Sequence, residues 1–218
     1  MACLLGFVSK TPQHGVLFDL DGTLVDSVYH HARIWHDVLA EYGFQLPHWK
    51  VHRGIGLPSD RLLSWLLGQV PDSADAMIAA HDRAFEQFDG KLQATEGARA
   101  LLDELERHAI PFCAVTSAGD RTRELLFKAL GREMPYSGSK GDAPKPNPSP
   151  LMAAADQLGL APSALVMIGD AIWDGEAARR SGTHFIGLRC GGTSDELLKQ
   201  ASALWVEDSP RDLMGRLA

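Results

Sequence analysis

The sequence is short of cysteine and has neither a long apolar run nor an excess of basic residues, and each shortage excludes a class of protein. Three cysteines, Cys3, Cys113 and Cys190, occur among 218 residues, without a CxxC pair. This usage indicates free thiols in a reducing compartment rather than a disulfide framework or a zinc site. No apolar run approaches the ~18 residues of a membrane span, and the first residues lack the basic start of a signal peptide. We therefore expect a cytoplasmic protein that contacts no membrane.

The formal net charge of −7 argues against a nucleic-acid partner, which would require a basic face. It does not argue against a small anionic ligand, because a few lysines, arginines and a metal ion can reverse the field inside a cleft. The length allows one large domain or a domain with an insertion. We expect a monomer or a homodimer.

The segment GVLFDLDG, residues 15–22, combines an apolar run with two carboxylates, Asp19 and Asp21. The apolar run predicts a strand that is buried on both faces of a parallel sheet. Carboxylates at the carboxyl end of such a strand are costly unless a cation pairs with them. In open α/β sheets that end is also where ligands bind. The segment therefore predicts a divalent-metal site beside a reactive carboxylate.

Hydrophobic periodicity divides the chain into a helical block and an alternating block. Helices are predicted over 28–42, 59–67 and 72–88, with no strand in 26–92. Beyond residue 93, helices (98–105, 121–130, 149–158, 175–181) alternate with strands (111–115, 165–168, 185–188, 204–206). We predict an α/β fold: a Rossmann-like parallel sheet core with helices on both faces, formed by 1–25 and 93–218, and an inserted all-helical cap domain, 26–92. Between 131 and 144, either an edge strand is lost or a short irregular one replaces it.

Four groups of polar residues follow strands or occupy a stiff loop: Asp19 with Asp21, Thr116 with Ser117, Lys145 among prolines, and Asp170 with Asp174. The motifs FDLDGTLVDS, VTS, KPNP and IGDAIWD resemble those of the haloacid dehalogenase superfamily. The resemblance is to its phosphoglycolate-phosphatase-like or β-phosphoglucomutase-like branch with a helical cap, and it covers nearly the whole chain.

This resemblance implies a phosphoryl-transfer site built on the aspartates. Asp19 would be the nucleophile that forms an aspartyl-phosphate, and Asp21 the general acid and base. Mg²⁺ would be held by Asp19, Asp170 and the backbone carbonyl of Asp21.

The resemblance also implies groups that bind the phosphoryl oxygens. Thr116 would donate a hydrogen bond to them, and Lys145 would neutralise charge on the nucleophile and the phosphoryl group. Asp174 would orient Lys145 or a metal-bound water. Ser117 is a weaker candidate for substrate binding, since a serine in this place is commonly a helix cap.

Two residues of the cap are further candidates for contact with substrate. His31 shares a helix face with Trp35, and a histidine stands at this offset from the second aspartate in sugar-phosphate-handling relatives. It would touch substrate or assist the acid–base step, or else be a packing histidine. Arg53 precedes a predicted flexible loop, Gly54-Ile-Gly, that could reach the pocket.

The function expected is Mg²⁺-dependent hydrolysis of a small phosphate monoester, with two alternatives left open. A phosphosugar mutase would need a cap arginine for a second phosphate, but Leu57 stands at that place, and its last motif would begin Glu-Asp rather than Gly169-Asp170. A dehalogenase would lack Asp21. A non-catalytic binding module on the same fold should have lost an acidic or lysine position, and none is lost.

Overall fold

The structure, a computed structural model, describes residues 14–138 and 143–217. The strands are Gly15–Phe18 (β1), Val25–Asp26 (β2), Gln93–Ala94 (β3), Phe112–Val115 (β4), Tyr136–Ser137 (β5), Leu165–Gly169 (β6), His184–Leu188 (β7) and Val206–Glu207 (β8). The α-helices are Val28–Glu41 (α1), His48–Gly54 (α2), Ser59–Leu67 (α3), Ala74–Glu86 (α4), Ala98–Arg107 (α5), Asp120–Leu130 (α6), Ser149–Leu158 (α7), Ile172–Ser181 (α8) and Asp195–Gln200 (α9). Across these two ranges, every helix is too short or too polar to cross a bilayer. Cys3 and the predictions for the first residues fall outside the described part.

Six strands form one parallel sheet in the order β5-β4-β1-β6-β7-β8. The central strand β1 is buried on both faces, as its apolar run predicts. Phe18 pairs with Ala114 of β4 on one side and with Ile168 of β6 on the other. The chain moves from β1 to β4 and β5 on one side, then returns to β6 on the other. The carboxyl end of β1 is therefore the point at which the strand order reverses, where α/β sheets bind ligands.

The sheet separates two apolar cores. One face packs Val16 and Phe18 with residues of α5 and α6, together with the helices that follow β2. The other packs Leu17 and Met167 with residues of α7, α8 and α9. Helices thus cover both faces, and the predicted Rossmann-like fold class is confirmed.

Helices α1 to α4 lie between β2 and β3, which pair with each other as a two-stranded antiparallel ribbon. Val25 pairs with Ala94, so the chain enters and leaves the helical segment at one place. The expectation that 26–92 contains no strand residue is wrong at Asp26, because a two-residue strand leaves no detectable alternation in the sequence. The division into core and cap domains at these residues stays a prediction.

Short elements account for the other differences from the sequence analysis. Helix α2 was not predicted, because its seven residues include only two buried ones, Val51 and Gly54. Helix α9 was not predicted either, since a six-residue helix shows little periodicity. Between 131 and 144 the second alternative is correct: β5 is a two-residue edge strand paired with β4.

Candidate active site

Three neighbouring parallel strands bring polar side chains to one edge of the sheet. Asp19 follows β1, Thr116 follows β4 and Asp170 follows β6. The Asp19 N–H donates a hydrogen bond to the Ile168 carbonyl (2.9 Å), which extends the β1–β6 pairing to the base of the site. The Asp19 carboxylate is therefore positioned by the pairing of two central strands.

Lys145 lies between two of the carboxylates. Its Nζ donates to Asp19 Oδ1 (2.6 Å) and to Asp174 Oδ1 (2.7 Å), and all three side chains are buried. Asp174 Oδ2 accepts a hydrogen bond from the Ala171 N–H at the start of α8 (3.1 Å). Burial lowers the pKa of a lysine, but the two carboxylates outweigh it here and raise the pKa of Lys145. Lys145 is thus a fixed cation held against one oxygen of Asp19.

The acidic cluster contains more negative charge than Lys145 can neutralise. Asp19, Asp170 and Asp174 each place one carboxylate oxygen within 4.8 Å of the others. Burial raises the pKa of Asp19 to about 7, with Asp174 and Asp21 adding to the rise and Lys145 opposing it. Burial, together with Asp19 and Asp174, also raises the pKa of Asp170 well above its usual value. Oxygen-only donors with uncompensated charge fit a hard divalent cation.

Glycines make room for the Asp170 carboxylate. Thr23 Oγ1 donates to Asp170 Oδ1 (2.8 Å). A Cβ atom added at Gly22 or Gly191 would lie only 2.6 Å or 1.7 Å from Asp170 Oδ2. The backbone of both residues therefore approaches this carboxylate as only glycine permits.

Asp21 has a different set of neighbours. Ser27 Oγ donates to Asp21 Oδ1 (2.6 Å), and His31 Nε2 lies 3.0 Å from the same oxygen. Burial pushes the pKa of Asp21 upward, but His31 and the hydrogen bonds from His31 and Ser27 outweigh it and lower that pKa. Ser27 stands at the N-cap position of α1, but its hydroxyl donates to Asp21 and accepts no hydrogen bond from a backbone N–H of the helix.

Sequence reasoning missed two residues that continue this contact. His31 Nδ1 lies 3.0 Å from His81 Nε2, and His81 Nδ1 lies 2.9 Å from Asp82 Oδ1. Both new residues belong to α4, fifty positions from His31 in the sequence. The available signal was a histidine four residues from both Met77 and Phe85, on the buried face of a predicted helix.

A cleft of about 380 Å³ opens between the strand ends and the helical segment. Asp19, Asp21 and His31 line it together with apolar side chains of the helices, among them Trp35, Leu57, Leu62 and Ile78. Ser117 also lines it, and its Oγ is buried without a hydrogen-bond partner in the described part of the chain. Thr116 is buried just before it, and its Oγ1 accepts from the Ala118 N–H (3.0 Å). A hydroxyl in either place still has a proton to donate to an anionic oxygen.

Arg53 lies elsewhere. It is exposed on α2, and it lines a second cleft, of about 240 Å³, whose other walls include Asp170 and Gly191. The wall of the larger cleft does not include it. Arg53 and Gly54 form the end of α2, whereas Ile55 and Gly56 of the predicted loop lie beyond the helix and line the larger cleft.

The model of the haloacid dehalogenase-like hydrolase family matches residues 16–188. The chain is 29% identical to a phosphoglycolate phosphatase of Xanthomonas campestris over 206 residues, which is 90% of this chain and 93% of the relative. It is 28% identical to hexitol phosphatase A of Escherichia coli over 199 residues, which is 84% of this chain and 86% of the relative.

A solved structure of a hydrolase from Pseudomonas syringae superposes with a TM-score of 0.89 at 34% identity. The superposition covers 94% of this chain and 97% of that one, so it includes both the sheet and the helical segment.

Proposed function

Because the chain belongs to the haloacid dehalogenase-like hydrolase family, we propose that it hydrolyses a small organic phosphate monoester through an aspartyl-phosphate on Asp19. Family and relatives confirm the predicted enzyme class, a phosphatase. The finer statement, a phosphoglycolate- or sugar-phosphate-like substrate and Mg²⁺ as the cofactor, is the proposal. The observation that carries it is Lys145, a buried cation fixed against Asp19 within an acidic cluster.

The nucleophile is oriented by its contact with Lys145. Lys145 holds Oδ1 of Asp19, so we assign the attack on phosphorus to Oδ2. A bond forms between that oxygen and phosphorus, and the bond from phosphorus to the ester oxygen breaks. The departing oxygen takes a proton from Asp21. Water then attacks the phosphorus of the aspartyl-phosphate and gives a proton to Asp21. The bond from phosphorus to Asp19 Oδ2 breaks, which releases inorganic phosphate and restores the Asp19 carboxylate.

Asp19, Asp170 and the backbone carbonyl of Asp21 are the groups that would hold Mg²⁺. When bound, Mg²⁺ supplies positive charge that neutralises the phosphoryl oxygens. Asp174 accepts hydrogen bonds from Lys145 Nζ and from the Ala171 N–H through its two oxygens. We propose that it keeps Lys145 in place.

The hydroxyls that follow β4 are the proposed donors to the phosphoryl group. Ser117 is the stronger case in the structure, since the residue lines the cleft and its buried Oγ lacks a partner in the described residues. Thr116 remains a proposal on the motif alone. Phosphoryl transfer depends on such positioning and charge stabilisation more than on covalent chemistry.

Hydrolysis is favoured over the mutase alternative by the wall of the cleft. A mutase must hold a second phosphate, and we expected an arginine at position 57 for that purpose. Leu57 lines the cleft and supplies an apolar surface there. We further propose that 26–92 acts as a cap domain over this cleft, and that the protein works in the cytoplasm as a monomer or a homodimer.

The test is hydrolysis of p-nitrophenyl phosphate and of a panel of alkyl phosphates, including 2-phosphoglycolate and hexitol phosphates. We expect activity with Mg²⁺, none with EDTA, and none in Asp19→Asn. Asp37→Asn is the matched control, because Asp37 is an exposed aspartate of α1. Mass spectrometry of acid-quenched turnover should find phosphate on the peptide that contains Asp19. Equal activity in wild type and Asp19→Asn, or inactivity of the wild type on the whole panel, would overturn the proposal.

A further inference from the structure

The contact between Asp21 and His31 is one end of a longer chain of hydrogen bonds. From His31 the chain passes to His81, and from His81 to Asp82, with every contact between 2.9 and 3.0 Å. Both histidines are buried, whereas the Asp82 side chain is about half exposed and lines the cleft. The chain therefore begins at the proposed acid and ends at a carboxylate in contact with solvent.

The chemistry of the last carboxylate sets the direction of every hydrogen bond. An ionised Asp82 only accepts, so His81 Nδ1 must donate to it. A neutral His81 then has an acceptor at Nε2, which requires a donor at His31 Nδ1. Burial lowers the pKa of His81, which favours this neutral form.

Because His31 donates its Nδ1–H to His81, its hydrogen bond with Asp21 can form in two ways. Either Nε2 is also protonated and donates to Asp21 Oδ1, or Nε2 accepts a proton carried by the carboxyl group of Asp21. In both cases one proton lies on this contact. The other neutral tautomer of His31 would leave Nδ1 and His81 Nε2 as two acceptors facing each other.

Aromatic packing holds the two imidazoles in this arrangement. The His81 ring stacks on Trp35, with centroids 4.5 Å apart and an interplanar angle of 15°. The His31 ring stacks on Phe85, with centroids 3.9 Å apart and an angle of 12°. Each stacking contact therefore holds its own imidazole ring in a fixed plane. What can still change in this arrangement is the tautomer of each histidine.

We propose that His81 and Asp82 are positioning residues that hold a proton on His31 Nδ1, so that His31 Nε2 can exchange a proton with Asp21 and the pair can supply it to the departing ester oxygen. The inference rests on the proposed function for its role in catalysis. The logic is that of a catalytic triad, in which a carboxylate fixes the tautomer of a histidine without contacting the substrate.

Substrates that differ in their need for a proton separate this role from a structural one. The parameter kcat/KM covers only the steps up to formation of the aspartyl-phosphate, in which the leaving group departs. An alkoxide must be protonated as it leaves, whereas p-nitrophenolate is stable without a proton at neutral pH. A defect in proton supply therefore lowers kcat/KM for alkyl phosphates alone.

The informative variant is His81→Phe, which keeps an aromatic ring between Trp35 and His31 but removes both nitrogens. We expect kcat/KM to fall by about ten-fold or more for the fastest alkyl phosphate and by less than about three-fold for p-nitrophenyl phosphate. His81→Gln, whose side-chain oxygen can accept from His31 Nδ1, should recover part of the alkyl activity. Asp82→Asn should show the same selectivity more weakly, and Asp75→Asn, an exposed aspartate on the same helix, should show none. Equal losses on both substrates in His81→Phe would overturn the inference.

A second measurement does not require activity. Nitrogen-15 NMR of histidine-labelled protein should find a proton on Nδ1 of both His31 and His81 in the wild type, and a shift of His31 toward the other tautomer in His81→Phe. A wild-type His31 protonated only at Nε2 would refute the inference even if the protein is an active phosphatase. If the wild type hydrolyses nothing, the proposed function fails, and NMR alone decides the tautomers.

Discussion

Replacement of Lys145 by methionine tests whether the buried cation supports the fold as well as the proposed chemistry. Methionine has a similar length but leaves Asp19 and Asp174 without their shared cation, and all three residues are at most 3% exposed. Removal of one partner from a buried ion pair typically costs about 3–5 kcal/mol. Asp19 can relieve part of this by binding a proton, since burial already raises its pKa to about 7. We therefore expect a loss near the lower end, about 3 kcal/mol.

For a chain of this length, such a loss corresponds to a fall in Tm of roughly 6–12 °C. The assay is thermal and guanidinium unfolding followed by circular dichroism, in EDTA so that metal binding does not contribute. The matched control is Lys199→Met, because Lys199 is exposed and makes a single surface pair with Asp195 at 3.6 Å. A pair of this kind contributes about 0.3–0.5 kcal/mol. Equal stability of the two variants would refute the reasoning.

The stability loss in Lys145→Met should depend on Asp174, because Asp174 shares the Lys145 cation with Asp19. In Asp174→Asn the amide oxygen can still accept from the Ala171 N–H, but one buried charge is gone. The double variant Lys145→Met/Asp174→Asn should therefore be more stable than the sum of the single losses, by about 1 kcal/mol or more. If the stability losses of the two single variants simply add in the double variant, Lys145 and Asp174 do not stabilise each other through the ion pair.

Two further perturbations follow from close approach and burial. Gly191→Ala places a Cβ atom 1.7 Å from Asp170 Oδ2, so we expect Mg²⁺ to bind about ten-fold more weakly or worse. Calorimetric titration measures this affinity. The control is Gly119→Ala, which has open space at the added carbon and should bind Mg²⁺ as the wild type does. Burial raises the pKa of Cys113 to about 12, so its thiolate is negligible at about pH 8. Folded wild type and folded Cys113→Ser should then react equally with Ellman's reagent and differ by one thiol only after unfolding; a difference between the folded proteins would contradict this.

The central strands and their polar ends were predictable because their signals are local. The apolar run of β1 stops at Asp19, and that of β6 stops just before Asp170, so both carboxylates were placed from the sequence. The resemblance then supplied Lys145 as a partner of Asp19, and the structure brings the two within 2.6 Å. Local apolar patterning sufficed here because strands buried on both faces tolerate few other sequences.

The histidine chain was not predictable in the same way. His31 was a candidate with three possible roles, and no local pattern distinguishes among them. Its partner His81 depends on how α1 and α4 pack, which is a contact between residues fifty positions apart. Arg53 depended on a different argument. The loop that follows it was expected to reach the pocket, and Ile55 and Gly56 do line the larger cleft, but Arg53 itself lies on α2 and lines the second cleft.

The two halves of the site differ in what holds them together. Asp19 follows β1, Lys145 lies in the loop before α7 and Asp174 lies in the first turn of α8, so their contacts do not involve the helical segment. Asp21 precedes the β2–β3 ribbon, whereas His31 and His81 lie on α1 and α4, between its two strands. Any rotation of the helical segment about that ribbon changes the distance from His31 to Asp21 and leaves the nucleophile unaffected. The proposed proton supply is therefore tied to the position of the helices, and the orientation of the proposed nucleophile is tied to the sheet.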